Sequence, residues 1–132
     1  MKILILMLKG LSRLPLGVLY ILSDISFFVV YYLVGYRRKV VRTNLSNAFP
    51  EKSQKERRQI ERRFFRFLCD YAFETIRLLS MSAQEMRRRM VIEGVEDMEK
   101  TLEHKPFVFI YLGHYCNWEW ISSIPLWAQR TD

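Results

Sequence analysis

A chain of 132 residues has room for one modest domain, and with half of those residues apolar it can bury a core of its own. Its 21 Lys and Arg against 14 Asp and Glu leave a formal net charge of +7, which argues against cationic partners and for acidic ones: anionic lipid, nucleic acid or an acidic carrier protein. Cys69 and Cys116 follow neither metal-ligand nor disulfide spacing and read as reduced thiols of a cytosolic setting.

The first feature along the chain is "GVLYILSDISFFVVYYLVG", Gly17 to Gly35, in which Asp24 is the only charge. Nineteen helical residues rise about 28 Å, close to the hydrocarbon thickness of a bilayer, and Tyr20, Tyr31, Tyr32 and Tyr36 stand near its ends, where amphipathic rings settle. A membrane-spanning helix is the leading reading. The competing one, prompted by the cost of Asp24 in lipid, is a helix lying in the interface or packed on its own domain. Lys9 and Arg13 interrupt the earlier apolar run and no small-residue cleavage site follows the long one, so an uncleaved anchor over residues 1–36 is expected. Arg37, Arg38, Lys39 and Arg42 then favour a cytoplasmic location for residues 37–132.

Pro50 ends one helical pattern and Ser53 opens the next, with Glu56 placed to complete an S-x-x-E capping box. Ile60, Phe64, Phe67, Leu68, Tyr71, Thr75 and Leu79 recur at helical spacing and predict the buried face. Arg57, Arg58, Arg62, Arg63 and Arg66 crowd the opposite side, either as a solvated face or as a dock for phosphates or an acidic protein. A second box, Ser82 to Glu85, opens a short helix through "MRRRM". "VIEG" reads as a brief strand, residues 95–105 as a helix, and "PFVFIYL", 106–112, as a strand buried on both faces of a sheet. Helix, strand, helix, strand predicts an α/β domain.

"GHYCNWEW", 113–120, follows that predicted strand, where open α/β sheets place their sites. His114 and Glu119 are five apart, which on one regular helix turns them roughly 140° away from each other. With His114 in a turn and Glu119 in the first turn of the next helix, the carboxylate can instead hold one imidazole nitrogen protonated and leave the other as a base. The bland alternative is a strand-end histidine beside two core tryptophans. A metal site is poorly supported, because His104 lies at a polar helix end and neither H-E-x-x-H nor a cysteine cluster is present. Cys116 is a minor candidate for a nucleophile.

"GHYCNWE", with "YRRKVVRTNLSNAFPE" upstream, resembles the bacterial lipid A biosynthesis acyltransferases, lauroyl and myristoyl transferases that share an H-x4-D/E motif with glycerolipid acyltransferases. The resemblance runs through Tyr36, Arg37, Arg38, Asn44, Phe49, Pro50 and Glu51 to His114, Asn117, Trp118 and Glu119. It implies a glycerolipid-acyltransferase-like mixed sheet behind an N-terminal membrane helix. The implied reaction moves an acyl chain from an acyl carrier protein or coenzyme A thioester to a hydroxyl of a lipid A precursor or related glycolipid. The implied setting is the bacterial inner membrane with the catalytic part cytoplasmic, and no cofactor, metal or nucleic acid is expected. His114 would be general base, Glu119 its orienting partner, and Asn117 an oxyanion or substrate-binding candidate. Arg57, Arg58, Arg62 and Arg63 would meet an anionic partner. Two departures stand out. Cys116 occupies a position where the family usually has glycine. The family also continues into further strands beyond this motif, so a truncated product is expected. The competing class is a non-catalytic, membrane-anchored basic module that binds anionic lipid or nucleic acid.

Overall fold

The structure, a computed structural model, describes residues 2–128. Helix α1 runs Lys2–Ser12, and Pro15, which cannot continue a helix it would have to join from within, separates it from α2, Leu16–Phe28. α2 passes without a break into a π-helical stretch, Val29–Val34. Together they form one apolar rod, Leu16–Val34, long and apolar enough to cross a membrane. Gly35 ends it in the left-handed region, φ 65°, where a side chain would be strained. Then come α3, Arg38–Ala48, and α4, Gln54–Leu78, followed by α5, Ala83–Arg89, and α6, Val95–His104. A 3-10 helix, Trp118–Leu126, comes last.

The expected α/β fold is corrected: the described residues are all-α, with no strand among them. Residues 91–94 and 107–115 are irregular backbone. A strand exists only where a neighbour takes up its ladder hydrogen bonds, and neither segment has such a neighbour among the described residues. Consequently "PFVFIYL", predicted to be buried, is largely exposed, with Phe109 at 73% and Tyr111 at 92%.

The fold is organised by α4 lying antiparallel along α2. Tyr31 packs on Phe65 with ring centroids 5.4 Å apart, the Ser23 hydroxyl donates to Asp70 Oδ1 at 2.5 Å, and the Tyr20 hydroxyl donates to Glu74 Oε1 at 2.7 Å. At the far end Arg77 donates to the carbonyl of Ser12 at 2.7 Å and pairs with Glu85, knitting α1, α4 and α5 together. Phe27, Tyr31, Phe65 and Cys69 form the core, with Leu16 and Leu19 buried further along the same seam. Burying a side chain the size of Phe65 or Leu19 contributes about 2–3 kcal/mol. One consequence bears on the membrane. α4 carries Arg62, Arg63, Arg66, Asp70, Glu74 and Arg77 alongside α2, and at a bilayer centre a charged side chain costs roughly 2.5–3.5 kcal/mol.

The buried face of α4 also differs from the predicted one. Glu61, Phe65 and Cys69 are buried, whereas Phe64, Phe67 and Leu79 are exposed. The reason is Glu61, which a hydrophobic pattern assigns to solvent. Its carboxylate is buried because Arg42 Nε donates to Oε2 at 2.9 Å and Arg38 Nε to Oε1 at 3.2 Å, while Arg38 also lies over the Tyr31 ring. Both expected caps form. Ser53 and Glu56 make the full reciprocal box; Ser82 accepts from the amide of Glu85, but the Glu85 carboxylate turns to Arg77 and Arg89 instead of returning.

Burial pushes the Glu61 carboxyl up, but hydrogen bonds and charge from Arg42 and Arg38 outweigh it and hold the group below its ordinary 4.5. Its contribution to stability is therefore complete above about pH 4.5 and is lost as pH falls through the lowered folded value. Arg38 and Arg42 are 29% and 47% exposed and can rehydrate, so Glu61→Gln should cost about 2 kcal/mol at pH 7, less than breaking a wholly buried pair. Denaturant unfolding in detergent checks this, and the gap between wild type and variant should narrow below about pH 4.5.

Candidate functional site

The turn 113–117 leads into the 3-10 helix, and two residues of α4 receive it. Tyr71 and Glu74 are three apart on α4 and so stand on one face. The Tyr71 hydroxyl donates to Glu119 Oε1 at 3.0 Å, and Asn117 Nδ2 donates to Glu74 Oε2 at 2.7 Å. Since Glu74 Oε1 is held by Tyr20, this single carboxylate bridges α2 to the turn. Desolvation, with the hydrogen bond to Glu119 adding to it, pushes the Tyr71 phenol up, so it remains a donor at neutral pH and above.

His114 is exposed, its ring set against Trp118 with centroids 4.5 Å apart at 60°. Glu119 is half-buried in the first turn of the 3-10 helix. His114 lies in the turn and Glu119 in the first turn of the 3-10 helix, and the Glu119 carboxylate accepts from Tyr71, with no hydrogen bond to His114 among the described residues. A carboxylate has a second oxygen with which to receive an imidazole N–H. Asn117 Oδ1 and Trp120 Nε1 are buried with no hydrogen-bond partner among the described residues, which leaves an acceptor and a donor beside the turn. The same residues hold no group of three or more His, Cys, Asp and Glu able to bind a metal ion.

Cys116 has φ 51°, in the left-handed region. That is the conformation glycine tolerates and other L-residues occupy at a cost of about 1–2 kcal/mol. The thiol is exposed, and no hydrogen bond joins it to His114. Of the arginines predicted to dock an anion, Arg57 donates to the carbonyls of Phe49 and Pro50 and so braces the turn before α4. Arg58 lines grooves with Gln54 on one side of α4. Arg62 and Arg63 join Arg66 beside Phe27 and Tyr32. Tyr71 and Glu74 went unrecognised as site residues in the sequence: Tyr71 reads as core spacing, and Glu74 as one more charge on a charged helix.

The glutamate is thus anchored by a phenol and the asparagine between it and the histidine by a carboxylate. Residues 2–128 match the model of the bacterial lipid A biosynthesis acyltransferase family, and the chain belongs to that family. The comparisons with curated proteins and with solved structures found no match.

Left-handed strain at Cys116 predicts that Cys116→Gly stabilises the chain, by about 1 kcal/mol at most once the extra freedom of glycine in the unfolded state is subtracted. A small rise in thermal midpoint with the near-native circular dichroism spectrum retained is the expected result.

Proposed function

We propose that the chain serves transfer of a fatty acyl group from the thioester of an acyl carrier protein or coenzyme A to a hydroxyl of a lipid A precursor or related glycolipid, at the cytoplasmic face of the bacterial inner membrane. The observation that carries this reading is the family's H-x4-E turn held on α4 through Tyr71–Glu119 and Glu74–Asn117. His114 takes the proton of the acceptor hydroxyl as its oxygen attacks the thioester carbonyl carbon. The tetrahedral intermediate collapses with cleavage of the C–S bond, the thiolate leaves with the proton returned by the imidazolium, and an ester remains. Glu119 fixes the tautomer and stabilises the imidazolium; no covalent enzyme intermediate is needed. Asn117 Nδ2 and backbone N–H groups opening the 3-10 helix are candidates to meet the oxyanion. Residues 1–36 act as the membrane anchor. Arg58, on an open groove, is suited to the acidic surface or phosphate of the donor, a role Arg57 shares only in part because it also braces its own turn.

His114→Ala should lower acyl transfer about 10²–10⁴-fold, the contribution of a general base, with Glu119→Gln of similar severity. Cys116→Ser should keep most activity. Tyr71→Phe should lose less than Glu119→Gln, since it frees the carboxylate without removing it. The assay is acyl transfer by the membrane-bound protein to a lipid A precursor; near-wild-type rates in His114→Ala would end the proposal, and loss in Cys116→Ser alone would make the thiol a nucleophile.

A further inference from the structure

Among the described residues the outward face of the apolar rod has no protein partner, and its composition is uniform. Val18, Ile21, Ile25, Phe28 and Tyr32 recur at steps of three and four, Val29 lies beside them, and all six are exposed, Ile21 at 62%. Asp24, the one charge, lies off this stripe, toward α4, where Arg66 Nη2 meets its Oδ1 at 3.2 Å. α1 repeats the pattern: Ile3, Leu4, Ile5, Leu6 and Met7 are exposed, and only its end at Ser12 is buried. An eleven-residue helix rises about 16 Å, half of what a hydrocarbon core requires, so α1 cannot cross a bilayer. The rod is long enough to cross, yet its inner face is occupied along its length by α4 and the ionisable side chains of that helix. A rod passing through the membrane would carry those charges in or lose its contacts with α4.

We propose that α1 and the outer stripe of Leu16–Val34 lie in the plane of the membrane as a two-helix wedge sunk into one anionic leaflet, with α4 riding above them in the headgroup layer. The rim chemistry commits the occupant. Arg62, Arg63 and Arg66 gather beside Phe27 and Tyr32 at the edge of the apolar stripe, with the Arg66 guanidinium 5.2 Å from the centroid of the Phe27 ring. Guanidiniums on flexible stems next to aromatic rings at an apolar boundary match lipid phosphates above acyl chains. Lys2, Lys9 and Arg13 supply further positive charge along α1 and its turn. The geometry rests on the membrane-anchor reading above and specifies how the anchor sits.

Two measurements test it on the full chain carrying Cys116→Ser, which leaves only the buried Cys69 as background thiol. Lys9→Cys and Lys39→Cys flank the rod, and a membrane-impermeant maleimide should label both in inside-out vesicles and neither in intact spheroplasts. Lys9→Cys labelled only from the periplasmic side, with Lys39→Cys only from the cytoplasmic side, would overturn the wedge and establish a span. Recovery of the whole chain in the soluble fraction of cells lysed at neutral pH and low salt would instead remove the membrane-anchor reading, so the two failures are distinct. In the second measurement, protein in dilute detergent is mixed with phosphatidylcholine vesicles containing or lacking 30% phosphatidylglycerol, a fraction of roughly the order that makes a leaflet strongly anionic. Converting Arg62, Arg63 and Arg66 to Glu should weaken binding to the anionic vesicles at least tenfold and leave the neutral ones nearly unchanged, since each basic residue near an anionic surface is worth several-fold in affinity. Equal binding by the charge-reversed protein would overturn the rim assignment, and a stable homodimer cross-linked through Ile25→Cys would give the stripe to a second copy of the chain.

Discussion

Glu61 is a carboxylate buried almost completely between Arg38 and Arg42, and the register of α4 against the rest of the protein depends on that arrangement. Removing an ionised carboxylate from water costs several kcal/mol, which only charge-assisted hydrogen bonds can offset. Because both guanidiniums come from α3 directly after the apolar rod, the pairing sets where α4 begins its descent along α2. One turn on, Phe65 enters the core against Tyr31; a turn further, Cys69 follows it. A slip of one residue would rotate every side chain of α4 by about 100° and place the carboxylate in the apolar seam without partners.

The same register presents the site. Ten residues beyond Glu61, Tyr71 points toward the 3-10 helix, and Glu74 sits one turn later between Tyr20 and Asn117. Helix α4 thus does by itself what the expected sheet was to do, giving the H-x4-E turn a rigid support. Its support is polar, not apolar: a phenol on one carboxylate and an amide on another, each a directional bond that fixes orientation as packing alone would not.

What could be read in the sequence was local. The Ser53–Glu56 box, the Ser82 cap, the break at Pro50 and the apolar rod rest on residues within a turn or two of one another, and each formed. The buried face of α4 was misjudged because a pattern of apolar residues cannot see that arginines 19 and 23 positions earlier neutralise Glu61. The strands were misjudged for a related reason: β-rich composition in "PFVFIYL" states a preference, and a ladder needs a neighbour that composition does not supply. Tyr71–Glu119 and Glu74–Asn117 join residues 48 and 43 apart, beyond any periodicity. The left-handed backbone at Cys116, φ 51°, was not read from the sequence, where the position stood out only as a departure from the resembling family's usual glycine.

The charged helix also links chemistry to membrane depth. Packed helices lie about 8–10 Å apart, so with the outer stripe of α2 among acyl chains, the face of α4 bearing Tyr71 and Glu74 stands about one helix diameter above them. The headgroup layer on each side of a bilayer is roughly 5–8 Å thick. For the acyl transfer proposed above, that height suits an acceptor whose tails remain in the leaflet while its hydroxyl is presented among the headgroups, and a donor arriving from water. Arg62, Arg63 and Arg66 at the aromatic rim and Glu74 at the turn lie on one continuous helix. Whatever fixes the arginines in depth therefore also fixes Asn117 and Glu119, which α4 holds through Glu74 and Tyr71, and their distance from those arginines is set by the pitch and register of α4, not by a flexible linker.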